Sequence, residues 1–148
     1  MTETLALAGR LHSLDYSTKA DGAPHIESLS GNRNVLRTRA KGPVRGSFVG
    51  TISETVTIVH AVPAPQLQGI AISFTVETSQ GSFSGHYTGS IQLGDQGGEY
   101  LINGYGQVVS VTGAYAELFL AEVFVNSKVP KGKGRSAGET GTLTLSPR

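Results

Sequence analysis

The most constraining feature of this chain is a regular alternation of apolar and polar residues from Thr51 to Leu145. It comes in blocks of roughly seven to twelve residues separated by Gly, Pro, Asp and Ser, as is typical of successive strands and turns. A period of two places neighbouring side chains on opposite faces of a strand, so each block predicts an antiparallel strand with one face toward a core. The 20 glycines fit this interpretation, because glycine favours turns, bulges and bends over helix interiors. The pattern predicts an all-β protein.

The individual elements follow from this alternation. We predict strands at about 4–13, 35–40, 44–51, 52–60, 70–78, 82–93, 99–111, 120–125 and 140–145. Gly42-Pro43 is expected to end the basic strand 35–40, with 44–51 continuing as a strand bent at a glycine. Gln80-Gly81 predicts a hairpin turn. Residues 114–119 predict one helical turn capped by Thr112, with a single strand over 115–125 as the competing interpretation.

Two stretches rich in polar or small residues, 15–31 and 126–138, are predicted to be mobile loops. The 148 residues then form a single domain. An eight-stranded antiparallel β-barrel accommodates about eight strands best, because closure removes exposed strand edges. A two-layer sandwich is the alternative.

Composition excludes several classes of protein. With no cysteine, the chain can have neither a disulfide framework nor a thiolate metal site. The first residues have no basic signal-peptide region, and no stretch approaches the roughly 20 apolar residues of a membrane span. We therefore expect a cytoplasmic protein that has no membrane partner. A net charge of +1 argues against a general nucleic-acid binder.

Basic residues cluster in two runs without acids, Asn32–Arg45 and Lys128–Arg135. The simpler interpretation is a set of solvated loops and a charged edge strand that resists aggregation. The alternative is a site for phosphate or another anionic ligand.

Three segments suggest a family. They are Gly81-Ser-Phe-Ser-Gly85-His-Tyr-Thr-Gly89-Ser-Ile, Gly106-Gln-Val-Val-Ser-Val-Thr-Gly113-Ala-Tyr-Ala-Glu-Leu and Thr140-Gly-Thr-Leu-Thr. Together they resemble the allene oxide cyclase-like barrels, a calycin-like group related to the dirigent proteins, over about residues 44–146. After Leu118 many relatives carry a Gly-rich turn, whereas this chain has Phe119-Leu-Ala-Glu122.

The resemblance implies a small eight-stranded barrel that encloses an apolar pocket and assembles as a homodimer or homotrimer. It also implies cyclisation or steering of a lipid-like or phenolic molecule without a cofactor.

Glu54 is the first candidate for chemistry, because it shares a strand face with Ile52, Val56, Ile58 and His60. If that face lines the interior, Glu54 and His60 are about 20 Å apart and could each contact a ligand. Burial would raise the pKa of the Glu54 carboxyl and make it a general acid or base. The alternative is a half-buried Glu54 paired with a neighbouring Arg or Lys.

The tyrosines are the second candidates. Tyr87, Tyr105 and Tyr115 have Gly or Ala neighbours that leave room beside a ring, and a tyrosine hydroxyl in a cavity can polarise a carbonyl. Packing of these rings across glycines of adjacent strands is the alternative. Asn103 shares the Tyr105 face, while His86 is expected to be exposed because it alternates with Tyr87.

The sequence contains no catalytic fingerprint. The four histidines have no metal-binding spacing, and no nucleotide-binding or G-x-S-x-G motif is present, so we expect neither metal nor cofactor. The predicted function is that of a cofactor-independent cyclase or isomerase shaping a hydrophobic polyketide-, terpene- or lipid-derived molecule in the barrel. The alternative is a lipocalin-like carrier of such a molecule. The predicted catalytic residues are Glu54, Tyr105 and Tyr87, and the predicted substrate-binding residues are His60, Ile58, Phe74, Asn103 and Tyr115.

Overall fold

The computed structural model describes residues 10–22, 25–28, 33–61, 67–94, 98–130 and 138–147. In these ranges the chain forms strands and one short 3₁₀ helix, as the alternation predicts. The strands are β1 (His12–Ser17), β2 (Lys19–Ala20), β3 (His25–Ser28), β4 (Arg33–Gly46), β5 (Gly50–Ala61), β6 (Leu67–Thr78), β7 (Gly81–Leu93), β8 (Glu99–Val111), β9 (Glu122–Pro130) and β10 (Thr140–Ser146). The 3₁₀ helix spans Gly113–Leu118, between β8 and β9.

The sheet closes into a barrel. Its strands follow the order β1-β10-β9-β8-β7-β6-β5-β4, and β1 also pairs with β4 through Tyr16↔Val44 and Leu14↔Gly46. All of these pairings are antiparallel. Both β2 and β3 pair with the part of β4 that precedes the residues paired with β1. The eight-stranded barrel is thus confirmed, and the sandwich alternative is wrong.

The hairpin between β6 and β7 turns as predicted, and Gly81 shows why glycine is required there. Its φ is +140°, which L side chains rarely adopt, and an added Cβ would lie 2.4 Å from the Thr112 carbonyl oxygen. The turn and the end of β8 therefore pack backbone to backbone.

An aromatic cluster closes one end of the barrel. Tyr115 of the 3₁₀ helix packs edge-on against Phe48, from the β4–β5 turn, and against Phe83 of β7, at ring-centroid distances of 5.1 and 5.3 Å. Its hydroxyl lies 2.6 Å from Thr78 Oγ1, and Leu118 of the same helix is fully buried. We call Phe48, Phe83, Tyr115 and Leu118 the aromatic plug.

The structure corrects the predicted loop over 15–31 in the parts that it describes, whereas residues 23–24 and 29–31 lie outside the described residues. Residues 15–17 belong to β1, and 19–20 and 25–28 form β2 and β3. Most exposed residues of this segment are polar, whereas Tyr16 and Thr18 are buried. Partners on β10 and β4 satisfy its backbone.

Other predicted boundaries also shift. Residues 126–130 of the second predicted loop belong to β9, while 131–137 lie outside the described residues. The predicted first strand at 4–13 lies mostly outside them too, and β1 starts at His12.

The predicted strand end at Gly42-Pro43 is wrong, since β4 continues to Gly46. Pro43 fits because it lies between the positions paired with β1 and with β2, where a missing N–H costs little.

The region after β8 is helical, as expected, so the single strand over 115–125 is excluded. Thr112 does not cap this helix with its side chain; its Oγ1 accepts a hydrogen bond from the Ser82 N–H at 2.9 Å. Strand β9 begins at Glu122 and not at residue 120, because Leu120 has a positive φ of 66° that breaks the extended backbone.

The charged side chains of β4 lie on the outside of the barrel. Arg37, Arg39, Lys41 and Arg45 are exposed, and Arg37 forms a surface ion pair with Glu27 at 3.2 Å. Because β4 has hydrogen-bonded neighbours on both sides, it is not the edge strand suggested by its charge. Within the described ranges, no helix has the length and apolar character needed to cross a membrane.

Candidate functional site

The barrel interior holds a cavity of about 390 Å³, a volume within the range of small-molecule sites. Most of its wall is aliphatic. The aliphatic residues from four neighbouring strands are Val56, Ile58, Ile70, Ile72, Ile91 and Ile102. Of the predicted ligand-contacting residues, Ile58 therefore lines the cavity.

Glu54 contributes a carboxyl group to this wall. The register of β5 places it opposite Phe74 of β6 and on the inner face with Ile52, and only 3% of it is exposed. The Tyr87 hydroxyl donates a hydrogen bond to Glu54 Oε2 at 2.9 Å. The other oxygen, Oε1, is buried and has no hydrogen-bond partner. A buried polar atom in that state is uncommon in a folded protein.

Glu139 contributes a second carboxyl group to the same cavity and is only 5% exposed. The Ser127 hydroxyl donates a short hydrogen bond to its Oε2. Its backbone is fixed to Thr18: the Thr18 N–H donates to the Glu139 carbonyl at 2.8 Å, and the Glu139 N–H donates to Thr18 Oγ1 at 3.2 Å. Each carboxyl is thus held by one hydroxyl group, Tyr87 for Glu54 and Ser127 for Glu139.

The two carboxyl groups lie close enough to influence each other. Burial raises the pKa of Glu54 well above its ordinary value, and a hydrogen-bonding interaction with the Glu139 side chain and the negative charge of Glu139 raise it further. Donation from Tyr87 opposes this shift only in part. These effects favour the neutral, protonated form of the Glu54 carboxyl over the carboxylate. Since Oε2 accepts from Tyr87, we place that proton on Oε1.

Two tyrosine hydroxyls support the carboxyl pair. Burial raises the pKa of Tyr87 and of Tyr16, and the charges of Glu139 and Glu54 raise both further, so each hydroxyl stays protonated. The buried Tyr16 hydroxyl makes no hydrogen bond of standard geometry, although the Ser127 and Tyr87 hydroxyls are near enough to moderate its pKa. We call Glu54, Glu139, Tyr16, Tyr87 and Ser127 the acid cluster.

Phe74 and Tyr87 both lie inside the barrel. Phe74 is buried, with its ring centroid 6.1 Å from that of Tyr87, and supports that ring without lining the cavity. His60 lies in β5 opposite Asn34, but its side chain is outside the described part of the structure. His86 is exposed, as expected.

Phe74 and Tyr87 lie inside the barrel without lining the cavity, and three further predicted site residues lie away from it. Tyr105 is 53% exposed on the outer face, where its ring packs on Phe124 at 5.1 Å, and Asn103 is also exposed. Tyr115 belongs to the aromatic plug. Their predicted places in the pocket are wrong.

The space beside the glycines of β8 is used by a different ring. Gly104 shares the inward parity of Ile102, and an added Cβ there would lie 2.5 Å from Tyr87 Cδ1. The small residue before Tyr105 in the sequence therefore leaves space for the Tyr87 ring inside the folded barrel.

A larger depression of about 660 Å³ lies against β1, β8, β9 and β10. Apart from Tyr16, Ile102 and Ser127, it is lined by exposed or half-buried residues, including Arg45, Asn103 and Lys128. It is an open groove on the outer surface, and we assign the candidate chemistry to the interior cavity.

Within the described residues, no group of three or more His, Asp or Glu side chains could hold a metal ion. Comparison with family models, with curated proteins and with solved structures found no match. The cavity and its two carboxyl groups are therefore the basis of the proposed function.

Proposed function

We propose that this protein is a cofactor-independent isomerase or cyclase that acts on a hydrophobic small molecule inside the barrel. The observation that carries the proposal is a pair of carboxyl groups in a mainly aliphatic cavity, one of which has a buried oxygen without a hydrogen bond of standard geometry. A carrier of apolar molecules needs the aliphatic wall but has no use for this pair.

The acid cluster supports general acid–base chemistry. Glu54 Oε1 would donate its proton to a carbonyl or ether oxygen of the substrate, while the Glu139 carboxylate would accept a proton from a carbon or hydroxyl of the same molecule. Return of these protons to other positions gives an isomer or a ring without any net gain or loss of atoms. The aliphatic wall would hold the substrate in a reactive conformation, a further source of rate enhancement.

Hydrogen exchange in a model ketone separates an enzyme from a carrier. We would incubate 2-decanone with the protein in D₂O and follow loss of the protons next to its carbonyl by NMR. Acid–base catalysis predicts exchange roughly 10²–10⁴-fold faster than in buffer. Glu54→Gln should remove most of this acceleration, while Glu77→Gln, which changes an exposed glutamate on β6, should not.

A carrier would bind 2-decanone and leave its exchange rate unchanged. That result, or equal exchange by the wild type and Glu54→Gln, would refute the acid–base role. We propose further that the chain belongs to the allene oxide cyclase-like group. We also propose that it forms a homodimer or homotrimer, and sedimentation analysis would test this oligomeric state.

A further inference from the structure

The polar part of the cavity wall determines which chemical group a ligand must present. It consists of Thr18, Thr38, Arg39, Glu54 and Glu139. Among these, Glu54 combines near-complete burial with an oxygen that has no hydrogen bond of standard geometry, whereas the Arg39 side chain is exposed on the outside of the barrel. The buried Glu54 oxygen is therefore the position at which a ligand would satisfy an unmet hydrogen bond.

The preference of Glu54 for its protonated form limits which chemical group of a ligand can pair with it. A carboxylic acid O–H requires an acceptor, which a carbonyl, ether or epoxide oxygen supplies and an ammonium group cannot. A carboxylate could accept the bond, but it would then lie near the negative charge of Glu139 in a site of low dielectric constant. An ammonium group would also have to lose its hydration among aliphatic side chains, which is costly for an ion.

The cavity volume and its aliphatic wall limit the size and the polarity of the rest of the ligand. At about 30 Å³ for each water-sized group, 390 Å³ accommodates about 13 such groups. The wall next to Glu54 along β5 and β6 is formed by Val56, Ile58, Ile70 and Ile72, so the remainder of the ligand must be apolar.

We propose that the cavity selects a neutral, mainly aliphatic molecule of about 13 non-hydrogen atoms that binds with its oxygen on Glu54 Oε1 and its apolar part along β5 and β6. This inference rests on the proposed function and specifies its substrate class. It also excludes a molecule with a charged head group next to the acid cluster.

Three probes of nearly equal length test the selection: 2-decanone, decanoate and decylamine, each measured by isothermal titration calorimetry at pH 7. We expect 2-decanone to bind at least about tenfold more tightly than either charged probe, a difference of about 1.4 kcal/mol. Glu139→Gln should reduce the discrimination against decanoate about tenfold by removing the charge. Glu77→Gln should leave all three affinities unchanged, and circular dichroism would verify folding. If Glu139→Gln does not fold, the wild-type affinity ratio still decides the question.

Tighter or equal binding of decylamine would overturn the inference. Tighter or equal binding of decanoate would also overturn it. Neither result affects the exchange assay that tests the proposed function. Conversely, selective binding of 2-decanone without hydrogen exchange would support the inference and refute catalysis, and failure of all three probes to bind would refute both.

Discussion

Replacement of Glu54 by glutamine tests the central electrostatic claim without knowledge of any substrate. The amide is nearly isosteric with the acid. Its oxygen can still accept from Tyr87, and its N–H₂ replaces the acid proton as donor. The variant therefore keeps the contacts of the protonated side chain and removes only its ability to ionise.

The direction in which the unfolding free energy changes with pH follows from proton linkage. Burial and Glu139 raise the pKa of Glu54 in the folded state above the ordinary value of 4.5, so above that pH the folded protein binds more protons than the unfolded chain. Wild-type stability should then fall as pH rises, until the pH passes the folded-state pKa. For a single group the limiting slope is about 1.4 kcal/mol per pH unit.

We expect Glu54→Gln and the wild type to have similar stability near pH 5. By pH 7 the variant should be more stable by up to about 2.7 kcal/mol, the slope taken over two pH units. For a domain of this size that corresponds to an increase in Tm of roughly 5–10 °C. The increase in stability should accompany loss of the exchange activity.

The measurement is urea unfolding, followed by circular dichroism, at pH 5, 6, 7 and 8. The informative quantity is the difference in unfolding free energy between variant and wild type as a function of pH, because pH-independent effects of the substitution cancel. Glu77→Gln, on the outer face, is the matched control, and its difference should stay constant. A constant difference for Glu54→Gln as well would show that Glu54 ionises alike in the folded and unfolded states, and the acid role would fail.

Two further substitutions test the parts around the carboxyl pair. Tyr87→Phe removes the donor to Glu54 Oε2 and should cost about 1–3 kcal/mol of unfolding free energy at pH 5, because a buried acceptor loses its partner; an unchanged urea midpoint would argue that the bond is absent in solution. Leu118→Ala, in the aromatic plug, should cost about 2–5 kcal/mol by leaving a void, yet leave the affinity of the folded protein for 2-decanone unchanged. A large loss of affinity in that variant would mean that the plug and the cavity are not independent.

The alternating pattern predicted the barrel and grouped Glu54 and Tyr87 with apolar residues on one face of their strands, and the structure shows that these faces are the inner ones. Ile52 fixes the inner face of β5, and Phe83 fixes that of β7. In these strands a period of two and a clear apolar face determine which side chains enter the core.

The same principle explains why Tyr105 was placed wrongly. In β8 the inner face carries Ile102, Gly104 and Gly106, and two glycines give no hydrophobic signal. The more conspicuous aromatic residue lies on the outside. A bulge where β8 pairs with β7 near Gly85 then shifts the register, so parity cannot be extended across the whole strand.

Glu139 lies one residue before β10, so it could have been found only by extending the alternation of that strand backwards by one residue. It shares its parity with Leu143 and Leu145, both of which are buried. Tyr16 likewise shares its parity with Leu14. Both residues lie next to segments that resemble loops in composition, and their inward orientation depends on pairing between β1 and β10, which are more than 120 residues apart in the chain. Such long-range pairing is not visible in local periodicity.

The aromatic plug and the acid cluster thus have opposite effects on the stability of the barrel. The aromatic plug stabilises the fold by burying large rings, whereas the acid cluster costs stability, because a carboxyl with an unpartnered oxygen has been taken out of water. An aliphatic residue in place of Glu54 would fill the same wall without that cost, and a barrel that only carried apolar molecules would gain from the exchange. Retention of a destabilising acid in an otherwise aliphatic cavity is explained if the acid acts on the ligand. The pH dependence of Glu54→Gln stability measures the cost of the buried acid. The exchange of 2-decanone measures separately whether that acid acts on a ligand.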